Sequence, residues 1–204
     1  MKIKDRVFLI TGAGSGLGAA VARMVVAEGG KAMLLDVNGD ALASVAQELG
    51  AAARFLKTDV TSEADGQAAI AAARDAFGRI DGLVNCAGVA PGEKVVGRDG
   101  PHALERFART VSINLVGTFN MIRLAADAMS KQDADAEGER GVIVNTASVA
   151  AFDGQIGQAA YAASKSGVVG MTLPIARELA RFGIRVVTIA PGIFATPMMA
   201  AMPQ

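Results

Sequence analysis

Short apolar runs alternate along this chain with longer segments of helical periodicity, and no other feature constrains its fold as strongly. The apolar runs cover residues 6–11, 31–36, 53–57, 80–85, 141–146 and 184–190. The helical patterns cover residues 17–28, 40–49, 63–77, 103–129 and 160–182. Because the runs are continuously apolar, they predict strands that are buried on both faces. Strand, helix and strand in repeated succession predict right-handed crossovers and a parallel sheet. We therefore expect an α/β fold, with residues 1–204 forming a single domain around a Rossmann-like doubly wound parallel sheet in three layers, α/β/α.

The composition restricts the classes of function open to such a domain. Twenty basic residues balance twenty acidic ones, so no net charge attracts the chain to nucleic acid or to an anionic membrane. The single cysteine, Cys86, excludes an internal disulfide, and with one histidine, His102, the chain has too few ligands for a zinc site. No apolar run reaches the roughly 18 residues of a transmembrane helix. The chain begins without a signal or transit peptide, which predicts a cytoplasmic location.

The first apolar run leads into a glycine-rich segment, TGAGSGLG at residues 11–18, which precedes a predicted helix. Glycines let the backbone turn sharply and approach a pyrophosphate, and the helix that follows presents free N–H groups and the positive end of its dipole. The spacing differs from the common GxGxxG pattern, and a glycine loop can also be only a tight turn. The position between a strand and a helix favours a dinucleotide site. The expected contacts are Gly12, Ser15, Gly16, Leu17 and Gly18.

Polar residues at the ends of other predicted strands extend this site. Asp36 ends the second strand, where its carboxylate can accept hydrogen bonds from both ribose hydroxyls of an adenosine and would repel a 2′-phosphate. No lysine or arginine lies in the glycine loop or directly after Asp36. These observations predict NAD rather than NADP as the cofactor. Cys86 is expected to pack as a small apolar residue. Further cofactor contacts are expected at the ends of the third and fourth strands, at Asp59, Val60, Asn85, Ala87 and Gly88.

A tyrosine and a lysine four residues apart, Tyr161 and Lys165, indicate acid–base chemistry. The two side chains share one face of a helix, because residues four apart are neighbours there. A free phenol has a pKa of about 10, and a fixed positive charge nearby favours the phenolate. The pair can therefore serve as a general acid and base, although the same pattern also occurs on surface helices. Ser148, upstream of Tyr161, adds a hydroxyl that could hold a substrate oxygen.

In their order and spacing, these motifs resemble those of the short-chain dehydrogenase/reductase family. The matching residues are Thr-Gly-x-x-x-Gly-x-Gly at 11–18, Asp59, Asn-Cys-Ala-Gly at 85–88, Asn114, Ser148, Tyr161, Lys165 and Pro191-Gly192. The resemblance implies reversible hydride transfer between a secondary alcohol and NAD. It implies that Tyr161 is the acid and base, that Ser148 holds the oxygen, and that Lys165 supports both the tyrosine and the nicotinamide ribose.

The resemblance implies further roles for residues outside this triad. Asn114 would support a water molecule next to Lys165; the simpler alternative is an asparagine that bonds to backbone inside a helix. Gln155 and Gln158 would either touch the substrate or cap the following helix. Further cofactor contacts are implied at Pro191, Gly192, Ile193 and Thr196.

Within the family, the segments 117–123, 149–161 and 171–177 are similar to type II 3-hydroxyacyl-CoA dehydrogenases. This similarity implies a small-molecule substrate, a 3-hydroxyacyl-CoA, and a place in fatty acid metabolism. Lys94 and Arg98 would contact the phosphates of CoA, unless they are only solvated loop charges. The alternatives are a 3-oxoacyl-carrier-protein reductase, a dehydrogenase of hydroxysteroids or other secondary alcohols, and, outside catalysis, a dinucleotide-binding sensor or scaffold.

Three further expectations concern loops, assembly and extent. Residues 91–101 and 131–140 are polar or glycine-rich and are predicted to be surface loops. The helical segments 103–129 and 160–182 are apolar on more than one face, which together with the resemblance predicts pairing between subunits in a homodimer or a homotetramer. The lid and the last strand of the family are expected to be absent from residues 1–204.

Overall fold

The computed structural model describes residues 1–200, apart from the side chains of Met198 and Met199. Its strands are β1 (Val7–Thr11), β2 (Lys31–Asp36), β3 (Ala53–Lys57), β4 (Gly82–Asn85), β5 (Val96–Gly97), β6 (Gly100–Pro101), β7 (Gly141–Thr146) and β8 (Ile184–Ile189). Its helices are α1 (Gly16–Ala27), α2 (Gly39–Leu49), α3 (Glu63–Phe77), α4 (Leu104–Val111), α5 (Thr118–Ser130), α6 (Ala159–Leu179) and α7 (Pro197–Ala200). No helix among the described residues is both long enough and apolar enough to span a bilayer.

Six of the strands form one parallel sheet, in the order β3-β2-β1-β4-β7-β8. The chain builds the sheet outward from β1 to β3 and then continues on the other side of β1 with β4. The strand order therefore reverses between β1 and β4, and the carboxyl ends of these two strands border the crevice where open parallel sheets bind their ligands. The predicted Rossmann-like α/β fold is confirmed.

Buried apolar clusters hold helices against both faces of this sheet. On one face, α1 and α2 contribute residues such as Val25 and Leu42. On the other face, α3, α5 and α6 contribute residues such as Ala73, Met121 and Leu179. The strands supply apolar side chains to both clusters, which explains why their sequences are continuously apolar.

The segment predicted as one helix over residues 103–129 is interrupted by a π-helical turn. Helix α4 ends at Val111, the π turn covers Ser112–Gly117, and α5 continues from Thr118. Asn114 lies inside the π turn with its side chain fully buried, and its amide bonds to the backbone of Val89 instead of facing solvent. Single π turns of this kind are rare and occur often at functional sites. The interruption places Asn114 toward the carboxyl edge of the sheet.

The segment 91–101 contains a small hairpin of β5 and β6, which the sequence did not predict. Glu93 attaches the hairpin to the start of α4, because its carboxylate accepts from the backbone N–H of Ala103 at 2.9 Å and pairs with Arg106 at 3.3 Å. These bonds hold the pKa of the Glu93 carboxyl below its usual value, with the Ala103 N–H as the main cause. On the other side, the N–H of Glu93 donates to the carbonyl of Gly157 at 2.9 Å. The hairpin is thus tied to the two segments beside it.

The segment 131–140 is a loop, as predicted, but one anchored by several long-range bonds. The Gln132 side chain accepts from the N–H of Ile80 and donates back to its carbonyl. Asp135 pairs with Arg6 at 2.9 Å, and Arg6 also pairs with the fully buried Asp81 at 3.1 Å. Because these partners lie at the amino-terminal edge of the sheet, the polar residues of the loop stabilise the fold at the edge opposite the ligand crevice.

Candidate active site

The glycine loop brings the backbone of β1 against the end of β4. Gly12 has φ +66°, and a Cβ there would lie 2.8 Å from the backbone nitrogen of Ala87. A Cβ on Gly18 would lie 2.2 Å from the carbonyl oxygen of Gly12. Both positions therefore require glycine, one for its conformation and both for lack of space. Helix α1 begins at Gly16, within this glycine-rich segment, so its free N–H groups face the crevice.

The hydroxyl of Thr11 fixes the neighbouring strand end. Its oxygen accepts from the backbone N–H groups of Cys86 and Ala87, each at 3.1 Å. The side chain of Cys86 lies beside Thr146, whose hydroxyl approaches its sulfur at 3.7 Å. Burial raises the pKa of the Cys86 thiol, so the thiol stays protonated near neutral pH, which agrees with the predicted packing role.

Asp36 shapes the glycine loop as well as adding charge to it. One carboxylate oxygen accepts from the N–H of Gly14 at 3.0 Å, and the other accepts from the N–H of Asn38 at 3.0 Å. These bonds fix the carboxylate at the end of β2, where it lines the crevice. A cofactor ribose would therefore meet an oriented anion.

A cavity of about 680 Å³ lies beyond the carboxyl ends of β1, β2, β3 and β4. Its volume is typical of a small-molecule or cofactor site. It is lined by residues predicted from the sequence, namely Gly12, Ser15, Gly16, Leu17, Gly18, Asp36, Asp59, Val60, Ala87, Gly88 and Thr196. The glycine cradle, the start of a helix and the oriented carboxylate suit the pyrophosphate and the adenosine ribose of a dinucleotide.

The lining also includes residues that were not predicted as contacts. They are Leu35, Val37, Thr58, Thr61, Cys86, Val89, Arg109, Ser112, Ile113 and Pro197. Several adjoin a predicted contact in sequence, so widening the predicted strand ends by one or two residues would have found them. Arg109, Ser112 and Ile113 instead form one face of the α4–π segment. No local motif marks that face.

Six predicted cofactor contacts lie outside this cavity. The Asn85 side chain is buried and donates to Asn145 at 2.9 Å, within the sheet. Pro191 accepts from the N–H of Val149 at 3.0 Å, so the loop after β8 lies beside Ser148. Gly192 and Ile193 follow in that loop, where Ile193 is exposed. Tyr161 and Lys165, predicted to contact the nicotinamide ribose, lie on α6 beyond the lining residues.

Lys165 is buried next to Tyr161. Its ammonium nitrogen lies 5.8 Å from the centre of the Tyr161 ring and donates to the carbonyl oxygen of Thr146 at 2.6 Å. Burial lowers the pKa of Lys165 to about 8, because desolvation penalises the charged form. At neutral pH the side chain remains mostly charged, so it can stabilise an anion at the phenol oxygen.

Ser148 lies two residues after the end of β7 and caps a short 3₁₀ turn, Val149–Ala151. Its hydroxyl oxygen accepts from the N–H of Ala150 at 3.1 Å. This bond orients the hydroxyl and leaves its own hydrogen available for donation.

Asn114 and Lys165 converge on Gly88. A Cβ on Gly88 would lie 3.1 Å from the Asn114 side-chain oxygen and 3.6 Å from the Lys165 nitrogen. The Asn114 amide bonds to the backbone of Val89 in both directions, at 2.8 and 2.9 Å. The simpler alternative for Asn114 was an asparagine that bonds to backbone inside a helix. Asn114 does bond to backbone, but the backbone is that of Val89, which lies outside the helix of Asn114.

Gln158 lies directly before α6, but its side chain makes no capping bond to the helix. The Gln158 side-chain oxygen accepts from the N–H of Gln155 at 2.9 Å, and the Gln155 side chain is exposed. Lys94 and Arg98 are both exposed, on or beside the hairpin of β5 and β6.

The sequence of this chain is similar to those of known proteins. Residues 6–204 match a protein-family model described as short chain dehydrogenase. The chain is 54% identical to 3-hydroxyacyl-CoA dehydrogenase type-2 of Bos taurus, over 99% of this chain and 78% of the relative. It is 52% identical to the Homo sapiens protein of the same name, with the same coverage.

Solved structures agree with the sequence comparison. The crystal structure of 3-hydroxyacyl-CoA dehydrogenase type-2 from Mycobacterium avium matches with a TM-score of 0.92 and 40% identity, over 98% of this chain and 80% of that one. The crystal structure of 3-ketoacyl-(acyl-carrier-protein) reductase from Brucella melitensis, complexed with NADH, matches with a TM-score of 0.89 and 34% identity, over 97% and 80% of the two chains.

Proposed function

Because the chain belongs to the short-chain dehydrogenase family and is therefore an oxidoreductase, we propose that it interconverts 3-hydroxyacyl-CoA and 3-oxoacyl-CoA with NAD(H). The observation that carries this proposal is the 54% identity with a 3-hydroxyacyl-CoA dehydrogenase type-2 over 99% of the chain. The arrangement of Ser148, Tyr161 and Lys165 beside a dinucleotide-sized crevice supports it.

In the proposed oxidation, the side chains of the site move one proton. Bound NAD supplies the hydride acceptor. Tyr161, as phenolate, takes the proton from the substrate hydroxyl. The charge of Lys165 stabilises the phenolate, and the Ser148 hydroxyl donates to the substrate oxygen as charge develops there. Asn114 would support a water molecule that accepts the proton next to Lys165.

NAD is favoured over NADP by the position of Asp36. Its oriented carboxylate suits two ribose hydroxyls and would repel a 2′-phosphate. Arg109 is the only basic residue among the described residues that line the cavity. It lies on α4 rather than on the loop after β2, so Asp36 remains the charged group beside the predicted ribose position. Pro191, Gly192, Ile193 and Thr196 are proposed to hold the nicotinamide half.

An acyl-CoA substrate is supported by exposed apolar residues on the β5–β6 hairpin and on the segment after Ser148. Val96, Phe152 and Ile156 are more than 70% exposed, at 74%, 74% and 88%, and offer apolar contact for an acyl chain. Lys94 and Arg98 are proposed to contact the CoA phosphates, and Gln155 and Gln158 to border the thioester. The second candidate, a 3-oxoacyl-carrier-protein reductase, is favoured only by the structural match to the Brucella enzyme.

A substrate panel on the purified protein tests the proposal. We expect efficient NADH-dependent reduction of acetoacetyl-CoA, with weaker activity on acetoacetyl-carrier protein, on ketosteroids and with NADPH. If acetoacetyl-CoA is inert while a steroid or a simple ketone reacts, the acyl-CoA assignment fails. If no substrate reacts although NADH binds, the dinucleotide-binding sensor or scaffold becomes the better interpretation.

Neutralising two charges tests the proposed CoA contact separately. The Lys94→Gln/Arg98→Gln variant should raise KM for acetoacetyl-CoA more than it lowers kcat, because phosphate contacts contribute to binding in both ground state and transition state. The matched control, Arg74→Gln/Lys131→Gln, removes two exposed charges elsewhere and should leave KM unchanged. Equal KM values in both variants would contradict the CoA contact.

We also propose that the chain acts as a homodimer or a homotetramer in the cytoplasm, with residues 1–204 serving as one NAD-binding domain. Helices α5 and α6 expose Phe119 and Leu173, at 48% and 56%. A groove of about 330 Å³ between the two helices is lined by apolar residues, such as Ile122 and Ile175, and by charged ones, such as Glu178. Light scattering at micromolar concentration should give at least a dimer, and a monomer would contradict the assembly.

A further inference from the structure

The serine directly before Lys165 has two side-chain hydrogen bonds in a fully buried position. Ser164 has 0% exposure. Its hydroxyl donates to the backbone carbonyl of Tyr161 at 2.7 Å and accepts from the side-chain amide of Asn114 at 3.0 Å. The first bond is a common local contact inside helices. The second bond is not local, since it joins α6 to the π turn that carries Asn114.

The Asn114 amide uses all its hydrogens in this arrangement. One N–H donates to the carbonyl of Val89, the other donates to Ser164, and the amide oxygen accepts from the N–H of Val89. Because Asn114 is fully buried, each of these groups needs a partner inside the protein. Ser164 is the partner that belongs to the helix of the acid–base pair.

The two bonds of Ser164 connect the π turn to the turn of α6 that carries Tyr161 and Lys165. Tyr161 begins the turn, Lys165 ends it, and Ser164 bonds to the carbonyl of Tyr161. On its other side, Asn114 approaches Gly88 next to the Lys165 nitrogen. A movement of the π turn relative to α6 would therefore change the surroundings of Lys165.

We propose that Ser164 is a positioning residue, which fixes the Asn114 amide and sets the π turn against the helical turn of Tyr161 and Lys165. Ser164 is not among the described residues that line the cavity, and its hydroxyl bonds to the Tyr161 carbonyl and the Asn114 amide, so its effect acts through these neighbours. The inference rests on the proposed dehydrogenase reaction for its activity measurement. A second measurement, of backbone protection, is independent of any substrate.

Substitution of Ser164 by alanine provides the test. The change leaves a buried amide N–H of Asn114 without a partner. We expect kcat to fall about 10- to 100-fold through misplacement of the acid–base pair, with KM for NAD unchanged within about twofold. We also expect the pH–rate profile to move by at least about half a pH unit and hydrogen exchange at the Val89 amide to become faster.

Two comparison variants separate positioning from general destabilisation. Ser130→Ala removes a local bond of the same i→i−3 kind away from the acid–base pair, since the Ser130 hydroxyl donates to the carbonyl of Asp127 at 2.8 Å at the end of α5. It should change none of these quantities. Ser164→Thr retains the hydroxyl and should recover most of the rate. It also keeps the test valid if the alanine variant folds poorly.

The measurements on the Ser164→Ala protein distinguish a positioning role from a purely structural one. A Ser164→Ala protein with a lower melting temperature but an unchanged kcat and pH profile would assign Ser164 a structural role only and overturn the proposal. If no substrate in the panel reacts, the dehydrogenase proposal fails separately. Hydrogen exchange at Val89 then decides, and unchanged protection would also overturn the positioning role.

Discussion

Replacing Lys165 by methionine should abolish turnover and yet raise the free energy of unfolding at neutral pH. Lys165 is only 5% exposed, and burial lowers its pKa from 10.5 to about 8. The folded protein therefore holds this proton less tightly than the unfolded chain does, and the buried charge opposes folding. Methionine has a similar length and no charge, so it fills the site without this cost.

The size of the effect follows from the pKa and from one hydrogen bond. The fall from 10.5 to a pKa of about 8 corresponds to roughly 3 kcal/mol of destabilisation wherever the lysine is charged in both states. That cost is fully present below about pH 8, decreases as the pH rises, and disappears above about pH 10.5, where both states are neutral. The variant loses the bond from the Lys165 nitrogen to the Thr146 carbonyl, on the order of 1–2 kcal/mol.

The net gain in unfolding free energy should therefore be about 1–2 kcal/mol at pH 7 and smaller by about 2 kcal/mol at pH 9.5. Urea unfolding without cofactor, at one protomer concentration, measures both values. Lys94→Met, at an exposed lysine, controls for the exchange of lysine for methionine. A Lys165→Met protein less stable than the parent at pH 7, or one whose stability difference is equal at the two pH values, would refute the reasoning.

Four further substitutions test the site. Tyr161→Phe should abolish turnover while NAD binding by fluorescence persists; near-normal turnover would identify another base. Ser148→Ala should reduce kcat on the order of 10²–10³-fold, and a loss below tenfold would remove its proposed role. Asp36→Ala should relax the preference for NAD by about tenfold, or 1.4 kcal/mol; an unchanged ratio of kcat/KM values would contradict it. Gly12→Ala should destabilise the fold by roughly 1–3 kcal/mol because of its positive φ and the contact with Ala87, and equal urea midpoints would speak against this.

The architecture could be predicted from the sequence because its signals are local. A strand buried on both faces must be apolar along its length, and the predicted runs match the six strands of the main sheet, with the largest difference at the start of β4, 80 predicted against Gly82 observed. The glycine loop and Asp36 could also be identified from the sequence. Their residue types are needed for a tight backbone approach and for a charge at a strand end, and both needs show in neighbouring residues.

The tertiary structure decided how polar residues are used. Asn85 was predicted to contact the cofactor, but its side chain bonds to Asn145 because β4 and β7 pair in register at these two residues. The loop over 131–140 reads as solvated, yet it carries Asp135, which pairs with Arg6 from a distant part of the chain. In both examples the partner is remote in sequence, so no pattern within either segment identifies it.

The sequence by itself determined the parallel sheet, the glycine loop between β1 and α1, and the spacing that places Tyr161 and Lys165 on one turn of a helix, since each depends on the order of residues within a strand or one helical turn. Only the tertiary structure decided that Arg109 and Ile113 line the cavity, that a π turn containing Asn114 divides the helix, and that Ser164 joins this turn to the helix of Lys165. These features depend on which buried donors and acceptors meet when separate segments pack, and a buried polar group must find its partner wherever the fold places one.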